Sequence, residues 1–132
     1  MRAGSLPFRM TCLNYGATLV WSEEIIDRRL LTCKRIFNEA LGTTDYVVDH
    51  SRNVQYIDDP HSLASHQDNG AVIFRTTSLE REKVILQLGT SNADTALAAA
   101  LMVQNDVAGV DINMGCPKKY ICSAFIITGY NS

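Results

Sequence analysis

Residues 84–113, VILQLGTSNADTALAAALMVQNDVAGVDIN, read as strand, helix, strand. Val84-Ile85-Leu86-Gln87-Leu88 is an apolar run of strand length, interrupted only by Gln87. Asn92 is a good N-cap, and the Ala- and Leu-rich stretch from Ala93 to about Gln104 favours helix. Val107-Ala108-Gly109-Val110-Asp111-Ile112-Asn113 then reads as a second strand. That order is a parallel βαβ unit, with the crossover helix covering one face of the sheet. The expected class is therefore α/β.

Working outward, Thr18-Leu19-Val20-Trp21 reads as a short buried strand, and residues 25–33 as a short helix with Ile26, Leu30 and Leu31 inward. Tyr46-Val47-Val48 and Ala71-Val72-Ile73-Phe74 are further strands. Near the start, Ser5 can cap a helix that carries Pro7 in its first turn and a Leu6, Met10, Leu13 stripe, with Gly16 as its stop. Asp49 to Gly70 is polar and rich in Asp, Asn, Ser and His, which predicts an exposed insertion loop. Its length suits a partner contact.

The 132 residues make one domain, with 46% apolar and 20% charged residues, an ordinary globular composition. A net charge of -2 excludes a strongly basic nucleic-acid clamp and leaves only local patches for such a contact. No apolar run reaches the roughly 18 residues of a membrane helix, so no membrane insertion is expected. Met1-Arg2-Ala3-Gly4-Ser5 leads straight into the first helix without the apolar core of a signal peptide. Cys12, Cys33, Cys116 and Cys122 form no C-x-x-C pair, which points to a reducing compartment and a cytoplasmic location.

The sharpest chemical cluster is Asp111-Ile112-Asn113-Met114-Gly115-Cys116-Pro117-Lys118-Lys119, at the C-terminal end of a parallel strand. In α/β folds ligands bind at that edge. Cys116 there is either presented on a turn, where two lysines favour thiolate, or a buried loop cysteine. Gln87 either offers a donor and an acceptor to a planar heterocycle or bonds a neighbouring loop. Glu23-Glu24, after the first strand, either line the ligand edge or serve a surface or helix-start role. His50, His61 and His66, with Asp58 and Asp59 nearby, match no metal-ligand spacing, so no metal site is expected. Neither a Walker loop nor a G-x-G-x-x-G is present.

Four segments occur in a telling order: Gly4-Ser5-Leu6-Pro7-Phe8-Arg9, Val20-Trp21-Ser22-Glu23-Glu24, Leu86-Gln87-Leu88-Gly89-Thr90, and Gly109-Val110-Asp111-Ile112-Asn113-Met114-Gly115-Cys116-Pro117-Lys118. Over about residues 1–120 the chain resembles the tRNA-dihydrouridine synthases. Ser22-Glu23-Glu24-Ile25-Ile26-Asp27 and Asn105-Asp106-Val107-Ala108-Gly109 look most like the eukaryotic branch that modifies position 20 of the D-loop. The resemblance implies a TIM barrel that binds FMN, takes electrons from NADPH and reduces a uridine of tRNA to dihydrouridine. It implies Cys116 as proton donor, Gln87 as a contact of the isoalloxazine ring, and Asn113 as a contact of the uracil.

Against that family the chain starts late, without an Ala-Pro-Met strand, and its 49–70 loop is long. The resemblance stops after Tyr120, so 121–132 reads as a non-family tail. A TIM barrel takes eight strands and about 250 residues. The expectation is a partial (β/α)8 barrel, roughly strands 2 to 4 with their helices, from a truncated product inactive alone. Its open sheet edges invite self-association. The alternative expectation is a non-catalytic binding or regulatory protein acting through such an edge, and a weaker third is a thiol-redox protein using Cys116 and Cys122.

Overall fold

Pro7 at the start of a helix costs no hydrogen bond, because the first N–H groups lack partners anyway. Helix α1 (Leu6–Asn14) begins there, without a side-chain cap from Ser5. It ends at Gly16, whose φ of 93° suits glycine. Gly16 N donates to Leu13 O and Ala17 N to Cys12 O, the paired bonds of a Schellman stop. A computed structural model of the chain describes residues 3–49, 51 and 70–115.

The elements that follow are β1 (Val20–Ile26), α2 (Asp27–Leu31), β2 (Cys33–Asn38), β3 (Thr43–Val48), β4 (Val72–Thr76), β5 (Val84–Gly89), α3 (Ala93–Val103) and β6 (Gly109–Ile112). They form two sheets of three strands among the described residues. One is parallel in the order β1-β5-β6, and the other is an antiparallel meander in the order β2-β3-β4. The βαβ reading of 84–113 holds, with Asn92 Oδ1 accepting from Asp94 N at 2.8 Å and from Thr95 N at 3.2 Å.

Three features differ from what the sequence predicts. The first strand begins at Val20 rather than Thr18, leaves Leu19 and Trp21 exposed, and runs on through Glu23-Glu24, because its ladder with β5 continues to Ile26. The helix read over 25–33 shrinks to Asp27–Leu31: Ile26 still pairs with Gly89, and Cys33 already opens β2. The Leu6, Met10, Leu13 stripe is half-buried, with Leu13 against the core, but the one fully buried residue of α1 is Arg9, which lies outside that stripe. The base of the 49–70 segment is closed by Val48 N to Ala71 O and Gly70 N to Val48 O, while most of that loop and its three histidines lie outside the described residues.

Val84, Leu86 and Leu88 alternate along β5 on one face and are fully buried. They pack with Leu30 of α2, Ala99 and Val103 of α3, and Tyr46, Val48 and Phe74 of the meander. Burying each such aliphatic side chain contributes about 1.5–3 kcal/mol. Two ion clusters fasten the layers, the first buried and the second half-exposed at Arg35. Arg9 Nε and Nη2 donate to both oxygens of Glu80 at 2.9 and 2.6 Å, tying α1 to the turn after β4. Arg35 of β2 donates two bonds to Asp106, and the Tyr46 hydroxyl donates to the same carboxylate at 2.6 Å. The Arg35 guanidinium holds the Asp106 carboxyl below the usual carboxylate range, and burial pushes the Tyr46 phenol up. No helix among the described residues is long and apolar enough to cross a membrane.

Candidate functional site

The second face of the parallel sheet carries the polar residues. In-register neighbours of a parallel sheet share a face, and Glu24 pairs with Gln87 and Gln87 with Asp111. Three polar side chains thus form one row across β1, β5 and β6. Beside it, toward the strand starts, Trp21 pairs with Ile85 and Ile85 with Gly109. Trp21 is 46% exposed, so among the described residues no layer covers this face as α3 covers the other.

A bulge puts Glu24 in the row. Trp21 pairs with Ile85, yet the next pair is Glu24 with Gln87, so β1 holds one more residue than β5 over that step. Regular pairing would set Glu23 opposite Gln87 and turn Glu24 to the apolar face. Ser22 repairs the broken ladder: its Oγ accepts from Gln87 N at 2.9 Å and donates to Glu23 O at 2.7 Å. Gly4 lies against the bulge so closely that a Cβ would sit 2.3 Å from Glu23 N.

Gln87 Nε2 donates to Asp111 Oδ2 at 3.3 Å. Of the two sequence readings, the bond to a neighbouring loop is therefore replaced by one to the adjacent strand. Glu24 Oε1 is buried and has no hydrogen-bond donor among the described residues. An orphaned acceptor of this kind costs about 1–3 kcal/mol, more if charged, until a donor reaches it. The row thus needs an N–H or O–H group from outside it.

Asn113 stands just past β6, at the sheet's C-terminal edge. Its N–H donates to Leu88 O at 2.9 Å, and its Oδ1 accepts from Gly115 N at 3.0 Å in a tight turn. That turn engages Oδ1, leaving Nδ2 as the group able to donate. Cys116, Pro117, Lys118, Lys119 and Cys122 lie outside the described residues.

The edge is stiffened by Asp27, a residue whose role the sequence does not show. It is 3% exposed, and its Oδ2 accepts from the hydroxyls of Thr90, at 2.5 Å, and Thr95. Thr90 Oγ1 in turn accepts from Asn92 N at 3.2 Å, so one carboxylate sets the whole β5–α3 turn. A separate cleft of about 300 Å³ lies beyond the bulge between Gly4, Ser22, Phe74 and Arg75, and neither Gln87 nor Asp111 lines it. The polar face, with its convergent groups, is the better candidate.

A parallel sheet with a polar row at its C-terminal edge is the frame of an α/β ligand-binding protein. A family profile described as dihydrouridine synthase (Dus) matches residues 6–125, and the chain belongs to that family. It is 45% identical over 121 residues to the tRNA-dihydrouridine(20) synthase (NAD(P)+) of Saccharomyces cerevisiae, covering 91% of this chain and 28% of that protein. It is 37% identical over 123 residues to the protein of the same name from Schizosaccharomyces pombe, covering 91% of this chain and 22% of that protein. The chain therefore spans about a quarter of the length of these curated relatives.

Proposed function

We propose that β1, β5 and β6 are adjacent strands of a dihydrouridine synthase barrel, with Trp21, Glu24, Gln87 and Asp111 facing its inside. The reaction is the reduction of a tRNA uridine to dihydrouridine, with NADPH as reductant. One observation carries this reading: a polar row with an orphaned acceptor on the open face of an otherwise apolar parallel sheet. The row fits a flat heterocycle that offers N–H groups, as the isoalloxazine of FMN does.

When bound, FMN supplies the hydride that reaches C6 of the uracil. Gln87 holds the ring through its side-chain amide. Asn113 donates from Nδ2 to a uracil carbonyl and so fixes the base. Cys116 gives its thiol proton to C5 and is left as thiolate, while the C5–C6 double bond becomes single. It therefore has to be a thiol when the base arrives. The base is turned out of its stack in the folded tRNA to reach the site.

Trp21 is the single tryptophan and lies on the same face, so its emission reports a ligand there. In an FMN titration of the chain, with circular dichroism as the folding control, saturable quenching is expected. It should weaken about tenfold or more in Gln87→Ala, a loss of about 1.4 kcal/mol. A folded chain that shows no saturable quenching would overturn a flavin site on this face. The second reading, a binding module, rests on β1 and β6, each of which has one sheet neighbour among the described residues. Concentration-dependent association without flavin is its signature.

A further inference from the structure

We propose that Asp111 is a positioning residue: it draws the Nε2 group of Gln87 to itself and leaves Oε1 as the face of the amide presented to a ligand. The inference rests on the reading of Gln87 as a ring contact and deepens it.

A glutamine amide is ambiguous by nature, with a donor end and an acceptor end that exchange places by a half-turn of one bond. A site built on an unrestrained amide accepts a ring edge of either polarity. Here the register removes the ambiguity. Both in-row neighbours of Gln87 are carboxylates, Glu24 on β1 and Asp111 on β6, and carboxylates accept rather than donate. The donor end is engaged by Asp111 Oδ2. The flipped amide would set carbonyl oxygen against carboxylate oxygen and lose that bond. Glu24 Oε1, buried with no donor among the described residues, is a second acceptor in the same row.

The amide therefore presents its acceptor end to the ligand. It selects a ring edge that donates, such as an imide N–H, over one that only accepts or is blocked by a methyl group. For FMN the matching group is the N3–H of the isoalloxazine. The bond from Gln87 N to Ser22 Oγ pins the backbone from which the side chain springs, and the bond from Nε2 to Asp111 acts on the half-turn of the amide at its other end.

Two measurements on the same chain test this. In 1H–15N spectra of the flavin-free protein, the Gln87 side-chain pair is identified by its loss in Gln87→Ala. Its two Nε2 protons are expected to be split more widely than those of an unbonded amide. The splitting should collapse in Asp111→Ala and persist in Glu24→Gln. A Gln87 pair unchanged by Asp111→Ala overturns the proposal. In the second measurement FMN and its N3-methyl analogue are titrated against Trp21 emission. The wild-type chain is expected to prefer FMN by about tenfold. Asp111→Asn, which matches the shape but tolerates either amide orientation, should reduce that preference by accepting the analogue better. Equal affinity for the two flavins in the wild type overturns the polarity argument. If neither flavin binds, the ring-contact reading of Gln87 fails, while the spectra still decide the role of Asp111.

Discussion

A missing Cβ and one hydroxyl determine where Glu24 goes. Gly4 brings the chain against the backbone of Ser22 and Glu23, and Ser22 Oγ replaces the ladder partner that the bulge removes. Gly4→Ala must push backbone apart, because the nearest atoms are Glu23 N at 2.3 Å and the Ser22 carbonyl carbon at 2.4 Å. We expect a loss of about 1–3 kcal/mol, as for other overpacked sites, read from the urea midpoint. Gln87 was visible in the sequence because a polar residue stands out in an apolar run. Its bond to Asp111 was not visible, since partners 24 residues apart meet only through strand register. Glu24 was hidden for a related reason: plain alternation points it away from Gln87, and nothing in Ser22-Glu23-Glu24 announces the extra residue.

At the scale of elements, α1 is held by a buried ion pair as well as by its apolar side chains, of which Cys12 and Leu13 pack against the core. Arg9 and Glu80 are 3% and 0% exposed, with Phe74 beneath the guanidinium at 5.5 Å and Thr76 Oγ1 donating to the carboxylate. Removing one partner leaves the other's charge buried without a counter-ion. Glu80→Ala is therefore expected to cost about 3–5 kcal/mol by chemical denaturation, and the double change Arg9→Met with Glu80→Met much less. Strands β5 and β6 and helix α3 were legible because composition, cap and periodicity agree along them. Strand β2 was not: Cys33-Lys34-Arg35-Ile36-Phe37-Asn38 is exposed over most of its length and shows no alternation. It exists as an edge strand through its ladder with β3.

At the scale of the molecule, the meander and the parallel sheet are joined through Asp106. Arg35 and Tyr46 face each other across β2 and β3, and both grip this carboxylate in the turn between α3 and β6. Its pKa is held below the ordinary value near 4, so unfolding takes up a proton in acid. The stability it contributes is complete above that ordinary value and is lost as pH falls through the depressed folded value. Asp106→Asn should therefore lower the melting temperature at neutral pH and flatten its fall in acid, measured by calorimetry from pH 7 to 3. Such joints lie outside what patterning shows, since the three residues belong to three segments.

The meander lies in the chain between β1 and β5, two strands that are neighbours in the other sheet. Zipping Val20 onto Val84 closes a circuit of roughly sixty residues, whose ordering entropy is spent before the contact repays it. A hairpin such as β2–β3 closes over only four residues, from Glu39 to Gly42, and forms on a far shorter timescale. Once folded, the meander shortens that circuit by drawing its own ends together. The polar row exists only when β1 meets β5, so its closure depends on strands that contribute no atom to it.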